Sequence, residues 1–190
     1  MTAIVGIIQD GEVWIGGDGV TAFGYYVMPS RQPKVFRVGE ALVGVSGSPR
    51  VGQLLRLAVE TAPCPPDADP YKWLCLDFST ALRTVVNEHG AMKTEEGADD
   101  IKSHALIGIR GRLFYMDGLF AIYESSRGYE ACGGGSEVVM GSLITSHHMV
   151  GVTPEQRIRW ALEACFEVMP SIGPPYTIDH LPVEKVPEVS

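Results

Sequence analysis

At 190 residues, with 45% hydrophobic and 20% charged residues, residues 1–190 have the make-up of one globular domain, able to bury roughly 70% of its unfolded surface without disulfides or metals. A net charge of −8, with no Lys/Arg cluster longer than Arg110-Gly111-Arg112, argues against nucleic acid or anionic membrane as the main partner. No run of about 18 apolar residues exists to span a membrane, and Met1-Thr2-Ala3-Ile4 lacks the basic stretch of a secretory signal, so a cytoplasmic location is expected.

Residues 2–8 (TAIVGII) and 12–17 (EVWIGG) are expected to pair as a hairpin around Gln9-Asp10-Gly11. Residues 34–38 and 41–46 make a second hairpin around Gly39-Glu40, and its second arm is apolar almost throughout, as in a strand buried on both faces. After Gly47-Ser48-Pro49 the period changes. Val51, Leu54, Leu55, Leu57, Ala58 and Ala62 recur at helical spacing, predicting a helix over 48–62 with Ser48 as N-cap and Pro49 in the first turn.

Cys64-Pro65-Pro66-Asp67 is a connector, and 70–89 is expected to form a second helix with Trp73, Leu74, Phe78 and Leu82 on one face. The polar, Gly-interrupted stretch 91–103 reads as a mobile loop. Strand signals return at 104–109, 112–117, 119–124 and 128–132, followed by a helix over 136–149 after the glycine run 133–135. Another helix starts at Thr153-Pro154-Glu155, capped by Thr153, and runs to about Val168. The Pro-rich tail 170–190 is expected to be irregular.

Strands thus come in blocks and helices in consecutive pairs. That order excludes a doubly wound sheet and predicts an α+β fold of two antiparallel sheets packed face to face, each covered by a helix pair, in four layers αββα. The four cysteines, Cys64, Cys75, Cys132 and Cys165, show no C-x-x-C spacing and read as reduced, structural thiols. Adjacent residues of a helix point about 100° apart, so His147-His148 is a poor metal pair and reads as surface histidines. No metal and no organic cofactor is expected.

Four features could carry chemistry: Thr2, Asp18 within Gly16-Gly17-Asp18-Gly19, Lys34 after Pro33, and Gly47 at a strand-to-helix turn. Alone, each has a bland reading: a strand-forming threonine, a turn, a solvated edge lysine, a loop glycine. Together they fit a terminal-amine mechanism. Removal of Met1 would leave a free α-amine on Thr2, with an unperturbed pKa of about 7.7–8.0, able to act as base for the neighbouring hydroxyl. A lysine nearby would lower the proton affinity of hydroxyl and amine, a carboxylate would hold that lysine charged, and Gly47 could offer a backbone N–H to an oxyanion.

These residues resemble the proteasome β family of N-terminal nucleophile hydrolases, and within it the peptidase subunit of the bacterial HslUV protease. TAIVGIIQDGEVWIGGDG, then SRQPKVFRV, then ALVGVSGS carry the likeness, with a second patch at Ala131-Cys132-Gly133-Gly134-Gly135-Ser136 and Met140-Gly141-Ser142-Leu143. The resemblance implies Thr2 as nucleophile, Asp18 and Lys34 as its supporting pair, and Gly47 as oxyanion glycine. It further implies a threonine-type peptidase acting on peptides or unfolded proteins, a homo-oligomeric ring, and a regulatory ATPase partner.

Departures from the pattern fall at Gly134, where the family has serine, and at Met169, Ile172 and Gly173, where an aspartate and a hydroxyl are absent. Two other functions therefore stand beside the peptidase. One is a non-peptide amidase using the same chemistry; the other is an inactive ring or shell protein, which Gly134, Met169 and Ile172 favour and Thr2, Asp18 and Lys34 oppose.

Overall fold

The first two strands, β1 (Ile4–Gln9) and β2 (Glu12–Gly17), pair antiparallel from Ile4↔Gly17 to Gln9↔Glu12. Asp10 and Gly11 between them both have positive φ (53° and 79°), the conformation of a two-residue turn whose twist matches the strands it joins. The computed structural model describes residues 1–95 and 97–183. The expected strand 2–8 begins later, because Thr2 and Ala3 spend their backbone groups elsewhere. Ala3 N–H donates to the Asp18 carboxylate and the Thr2 carbonyl accepts from Gly135 N–H, both in place of ladder bonds.

A short hairpin for which the sequence offered no expectation follows, β3 (Val20–Phe23) with β4 (Tyr26–Pro29). The second expected hairpin is β5 (Val35–Val38) with β6 (Ala41–Gly47). Helix α1 (Pro49–Leu57) is shorter than the predicted 48–62: the N–H groups of Ala58 and Val59 both turn back to the Leu54 carbonyl, ahead of Pro63. Ser48 sits at its N-cap position without a side-chain cap; its N–H instead donates to Ser103 Oγ at 3.0 Å.

The second helical stretch is three pieces in line, α2 (Pro70–Trp73), a π-helical turn (Leu74–Phe78) and α3 (Ser79–Glu88). The supposed mobile loop contains a hairpin, β7 (Lys93–Glu95) with β8 (Ala98–Asp100), tied to α3 by an ion pair between Arg83 and Asp99. Then come β9 (Ser103–Ile109), β10 (Arg112–Met116), β11 (Ile122–Glu124), β12 (Tyr129–Cys132), α4 (Ser136–Ser146) and α5 (Pro154–Val168). Thr153 caps α5 through a reciprocal capping box with Gln156.

The tail is not wholly irregular. Strand β13 (Thr177–Leu181) pairs with the free edge of β2, from Thr177↔Gly17 to Leu181↔Val13, and residues 184–190 lie outside the described part. An unpaired β2 edge would leave backbone donors and acceptors bare. Stacking of His180 on Trp14 (4.3 Å between ring centroids) and a bond from Arg37 Nε to Asp179 at 3.3 Å hold the strand in place.

Two antiparallel sheets result, ordered β12-β1-β2-β13 and β11-β10-β9-β6-β5. Alternation along each strand separates three apolar layers. Ala3, Val5 and Ile7 pack with Val139, Leu143, Ile158 and Leu162 of α4 and α5. Ile4, Val13 and Ile15 meet Val35, Leu42 and Leu106 between the sheets. Val43, Val45 and Ile107 meet Leu54, Leu55, Phe78 and Leu82 under the other helices. Each fully buried aliphatic side chain contributes about 1.5–3 kcal/mol. The fold is the expected α+β sandwich in four layers, αββα. No helix among the described residues is long and apolar enough to cross a membrane.

Candidate active site

The sheets open at the end where β1 begins and β2 and β6 finish, and Thr2, Asp18, Lys34 and Gly47 all converge there. Thr2 is fixed from behind by the turn 133–135. Its carbonyl accepts from Gly135 N–H at 3.1 Å, and a Cβ on Gly133 would stand 2.4 Å from that oxygen. The turn itself is backed by apolar groups, since Ile172, Ala3 and Cys165 surround Gly135.

Asp18 follows β2 and is 1% exposed. Its Oδ1 accepts from Ala3 N–H at 3.0 Å and its Oδ2 from Val20 N–H at 3.1 Å. Lys34, just ahead of β5, completes the coordination of that carboxylate, with Nζ 2.8 Å from Oδ1 and 2.9 Å from Oδ2. The same ammonium donates to the Val20 carbonyl at 2.6 Å and to Thr2 Oγ1 at 2.9 Å. Three N–H protons thus serve four acceptors, and the two carboxylate oxygens share one of them.

Burial pushes the Lys34 pKa below the ordinary lysine value, against the opposing pull of the Asp18 charge and its hydrogen bond. Because Lys34 donates to Oγ1, the hydroxyl proton of Thr2 must point away from the lysine. A positive charge at 2.9 Å makes that proton easier to remove. A pair so placed can polarise the hydroxyl, and a base would have to approach from the other side.

Gly47 ends β6 with φ +103°, where a Cβ would lie 2.3 Å from the Lys102 carbonyl oxygen, so both conformation and space require glycine. It lines one wall of a cavity of about 870 Å³ that also holds Thr2 and Lys34. Val20, Phe36 and Val45 contribute apolar lining to this cavity, and Gln53, Arg56, Met1 and Gly134 also border it.

Cys132 also borders the cavity, but burial raises its pKa to about 12 and it is 2% exposed, so it is no rival nucleophile. Cys165 is held up at about 11 by burial, and its thiol donates to the Gly135 carbonyl. Where the sequence departs from the family pattern, the structure has an apolar side chain and a main-chain bond. Ile172 is fully buried against Gly135, and the Gly173 carbonyl accepts from Gly19 N–H at 3.0 Å. Among the described residues, no group of three or more His, Cys, Asp or Glu side chains is placed to hold a metal ion.

The groups that sequence reasoning missed are all main-chain: Ala3 N–H, the Val20 N–H and carbonyl, and Gly135 N–H. Residue identity carries no signal for them, because any residue offers the same group. Only the three-dimensional convergence reveals their use.

No protein-family model and no curated protein sequence matches the chain. Solved structures do. Thiobacillus denitrificans BPH in complex with epoxomicin is 20% identical, with a TM-score of 0.81 over 96% of this chain and 100% of that one. HslV from Trypanosoma brucei is 17% identical, with a TM-score of 0.63 over 94% and 98%. Anbu (ancestral beta-subunit) from Yersinia bercovieri is 17% identical, with a TM-score of 0.67 over 94% and 80%. At such identities the likeness speaks for architecture, and with the two stacked antiparallel sheets between helix layers it shows that the chain has the proteasome-like N-terminal nucleophile hydrolase fold.

Proposed function

We propose that this chain is a threonine-type peptidase whose nucleophile is Thr2 once Met1 has been removed. The observation that carries the reading is the single ammonium of Lys34 bridging the Thr2 hydroxyl at 2.9 Å and the buried Asp18 carboxylate at 2.8 Å. In the reaction the free Thr2 amine takes the hydroxyl proton as Oγ1 attacks the substrate carbonyl carbon. The C–N bond then breaks, the amine hands that proton to the leaving nitrogen, and an acyl ester remains on Thr2. Water, deprotonated by the same amine, hydrolyses the ester and restores the enzyme. Lys34 stabilises the developing charge on Oγ1, and Gly47 N–H is the proposed oxyanion donor.

The substrate class is peptides or unfolded protein, entering the cavity beside Thr2. The deciding experiment uses protein with Met1 removed, verified by intact mass, and assays cleavage of short peptides and casein. Met-free protein cleaves, while Thr2→Ala and Met-capped protein do not. Equal activity of the capped and trimmed forms would refute the terminal-amine mechanism. Epoxomicin, present in the similar BPH structure, gives a second probe: it binds the Met-free form and not Thr2→Ala.

The proposed assembly is a closed homo-oligomeric ring. Leu57, Ile144, Met149 and Val150 are exposed on or just after α1 and α4, where a single protomer would leave apolar surface in water. Light scattering at micromolar concentration returns a multiple of the protomer mass; a monomer mass would rule the ring out. A regulatory ATPase partner rests on the family resemblance, and its test is whether an added ATPase with ATP raises casein cleavage more than short-peptide cleavage.

A further inference from the structure

The three glycines of the turn beneath Thr2 are there for different reasons. Gly133 has φ +96° and would drive a Cβ into the Thr2 carbonyl oxygen at 2.4 Å, and Gly135 is hemmed in by Ile172, Ala3 and Cys165. Gly134 has neither constraint. Its backbone lies outside the left-handed region, and the three atoms nearest to an added Cβ all belong to Met1: Cβ at 3.2 Å, Cγ at 3.2 Å and Sδ at 3.3 Å. A side chain at 134 is thus opposed chiefly by the group attached to the Thr2 amine. The recess over Gly134 is an open slot beside that nitrogen: Met1 lies against it and is 57% exposed.

We infer that, with Met1 gone, this slot is the subsite for the leaving side of the substrate, and that it selects a linear apolar side chain of methionine's size on the residue following the scissile bond. The inference rests on the peptidase reading above. In that reaction the Thr2 amine must give its proton to the leaving nitrogen, which requires the two nitrogens to approach within hydrogen-bond distance, about 3 Å. Met1 is bonded to the same amine, so its side chain marks the volume open to a residue whose nitrogen approaches it. The floor is bare backbone at Gly134, against which the Met1 thioether chain already lies flat. An unbranched chain fits that floor, whereas a β-branched one carries a second group at Cβ, one of the two Met1 carbons that lie nearest to it. Gly134 is then a specificity-determining position, and the serine expected there by family resemblance would close the slot.

The test has a binding arm and a cleavage arm. In the binding arm, Met-free Thr2→Ala protein is titrated by calorimetry with the product-like tripeptides Met-Ala-Ala, Val-Ala-Ala and Gly-Ala-Ala. Met-Ala-Ala binds about fivefold more tightly than either of the others, the range that half-burying one apolar side chain supplies. Adding Gly134→Ala removes that preference and leaves the affinity for Gly-Ala-Ala as it was. The comparison of the three peptides on the Thr2→Ala protein needs no change at 134, so it stands even if the second variant folds poorly. In the cleavage arm, Met-free protein is given peptides that differ only in the residue after the scissile bond, and kcat/KM follows the same order. Equal binding of the three peptides, or a Gly134→Ala effect that weakens all of them alike, overturns the subsite. Selective binding without any cleavage overturns the peptidase reading instead and leaves the subsite in place.

Discussion

Ala3 and Asp18 hold each other by two reciprocal hydrogen bonds: Ala3 N–H donates to Asp18 Oδ1 at 3.0 Å, and Asp18 N–H donates to the Ala3 carbonyl at 3.2 Å. The residue that follows the proposed nucleophile is thereby locked to the residue that neutralises Lys34. Asp18 has a structural and an electrostatic duty at once.

Asp18→Asn separates those duties. It keeps an oxygen for Ala3 but leaves the Lys34 ammonium, whose side chain is 15% exposed, without a counter-charge. Breaking such a pair from one side costs about 3–5 kcal/mol. The expected result is a drop of that order in unfolding free energy by urea titration, of which Asp18→Asn combined with Lys34→Met recovers a large part. A double variant no more stable than Asp18→Asn alone would show that the charge pair is not what the single change disrupts.

Lys34→Ala removes the donor to Thr2 Oγ1, and Met-free protein is expected to lose about 10²–10⁴-fold in kcat/KM, the range for a group acting on proton transfer. Stopped assays against the parent protein check this. A loss below about threefold would deny Lys34 any role in the reaction.

The pH profile follows from the same lysine. The base must be unprotonated, so activity rises through the titration of the Thr2 amine, ordinarily about 7.7–8.0. Lys34 must stay protonated, and burial lowers its pKa, so activity falls at a pH below the ordinary lysine value of about 10.4. Stability runs the opposite way to activity: between the lowered folded value and the ordinary one, the unfolded chain binds more protons. Stability gains a contribution that rises with pH across that window, and Lys34→Met abolishes it. Any activity left in Lys34→Arg should lack the alkaline limb, because a guanidinium does not titrate there.

Much of the frame could be read from residues alone where one local rule dominates. Asp10-Gly11 announces its turn, and Thr153-Pro154-Glu155 announces α5. The separation of Thr2, Asp18 and Lys34 was legible through chemistry that needs all three. What escaped depends on partners distant in sequence. β13 is a five-residue edge strand behind Pro174 and Pro175 whose partners, the bare edge of β2 with Trp14 and Arg37, all lie far away in sequence. The charged segment at 93–100 reads as loop because Arg83, the partner of Asp99, lies on another element. The π-helical turn left its trace in apolar Trp73 and Phe78, five positions apart, yet a 3.6-residue period absorbs that spacing unnoticed.

Removing residues 176–190 tests the edge role of β13. The truncated chain loses the ladder from Thr177 to Leu181, the Trp14–His180 stack and the Arg37–Asp179 contact together. Exposed β2 then becomes a template for pairing between chains. A lower thermal midpoint and concentration-dependent aggregation are expected in differential scanning fluorimetry and light scattering. An unchanged midpoint would mean that the edge is satisfied without β13.

The closeness of the two sheets gives the last prediction. At Gly44 of β6, an added Cβ would come within 2.5 Å of Ile4 Cγ2 and 2.8 Å of Ile15 Cγ2, both on the facing sheet. Neither neighbour can retreat easily, since both are fully buried between the sheets. Gly44→Ala is therefore expected to destabilise by about 1–3 kcal/mol through overpacking. Gly141 in α4 is the control, because nothing lies within 4 Å of its added Cβ. There alanine only restricts the unfolded chain and improves helix propensity, a gain of about 0.5–1 kcal/mol. Urea midpoints should thus move in opposite directions for the same chemical change. Because β1 carries both Ile4 and the approach to Thr2, Gly44→Ala should also lower activity in Met-free protein, whereas Gly141→Ala should not. If both variants shifted stability alike, the Gly44 contact with Ile4 would not be what sets the distance between the sheets.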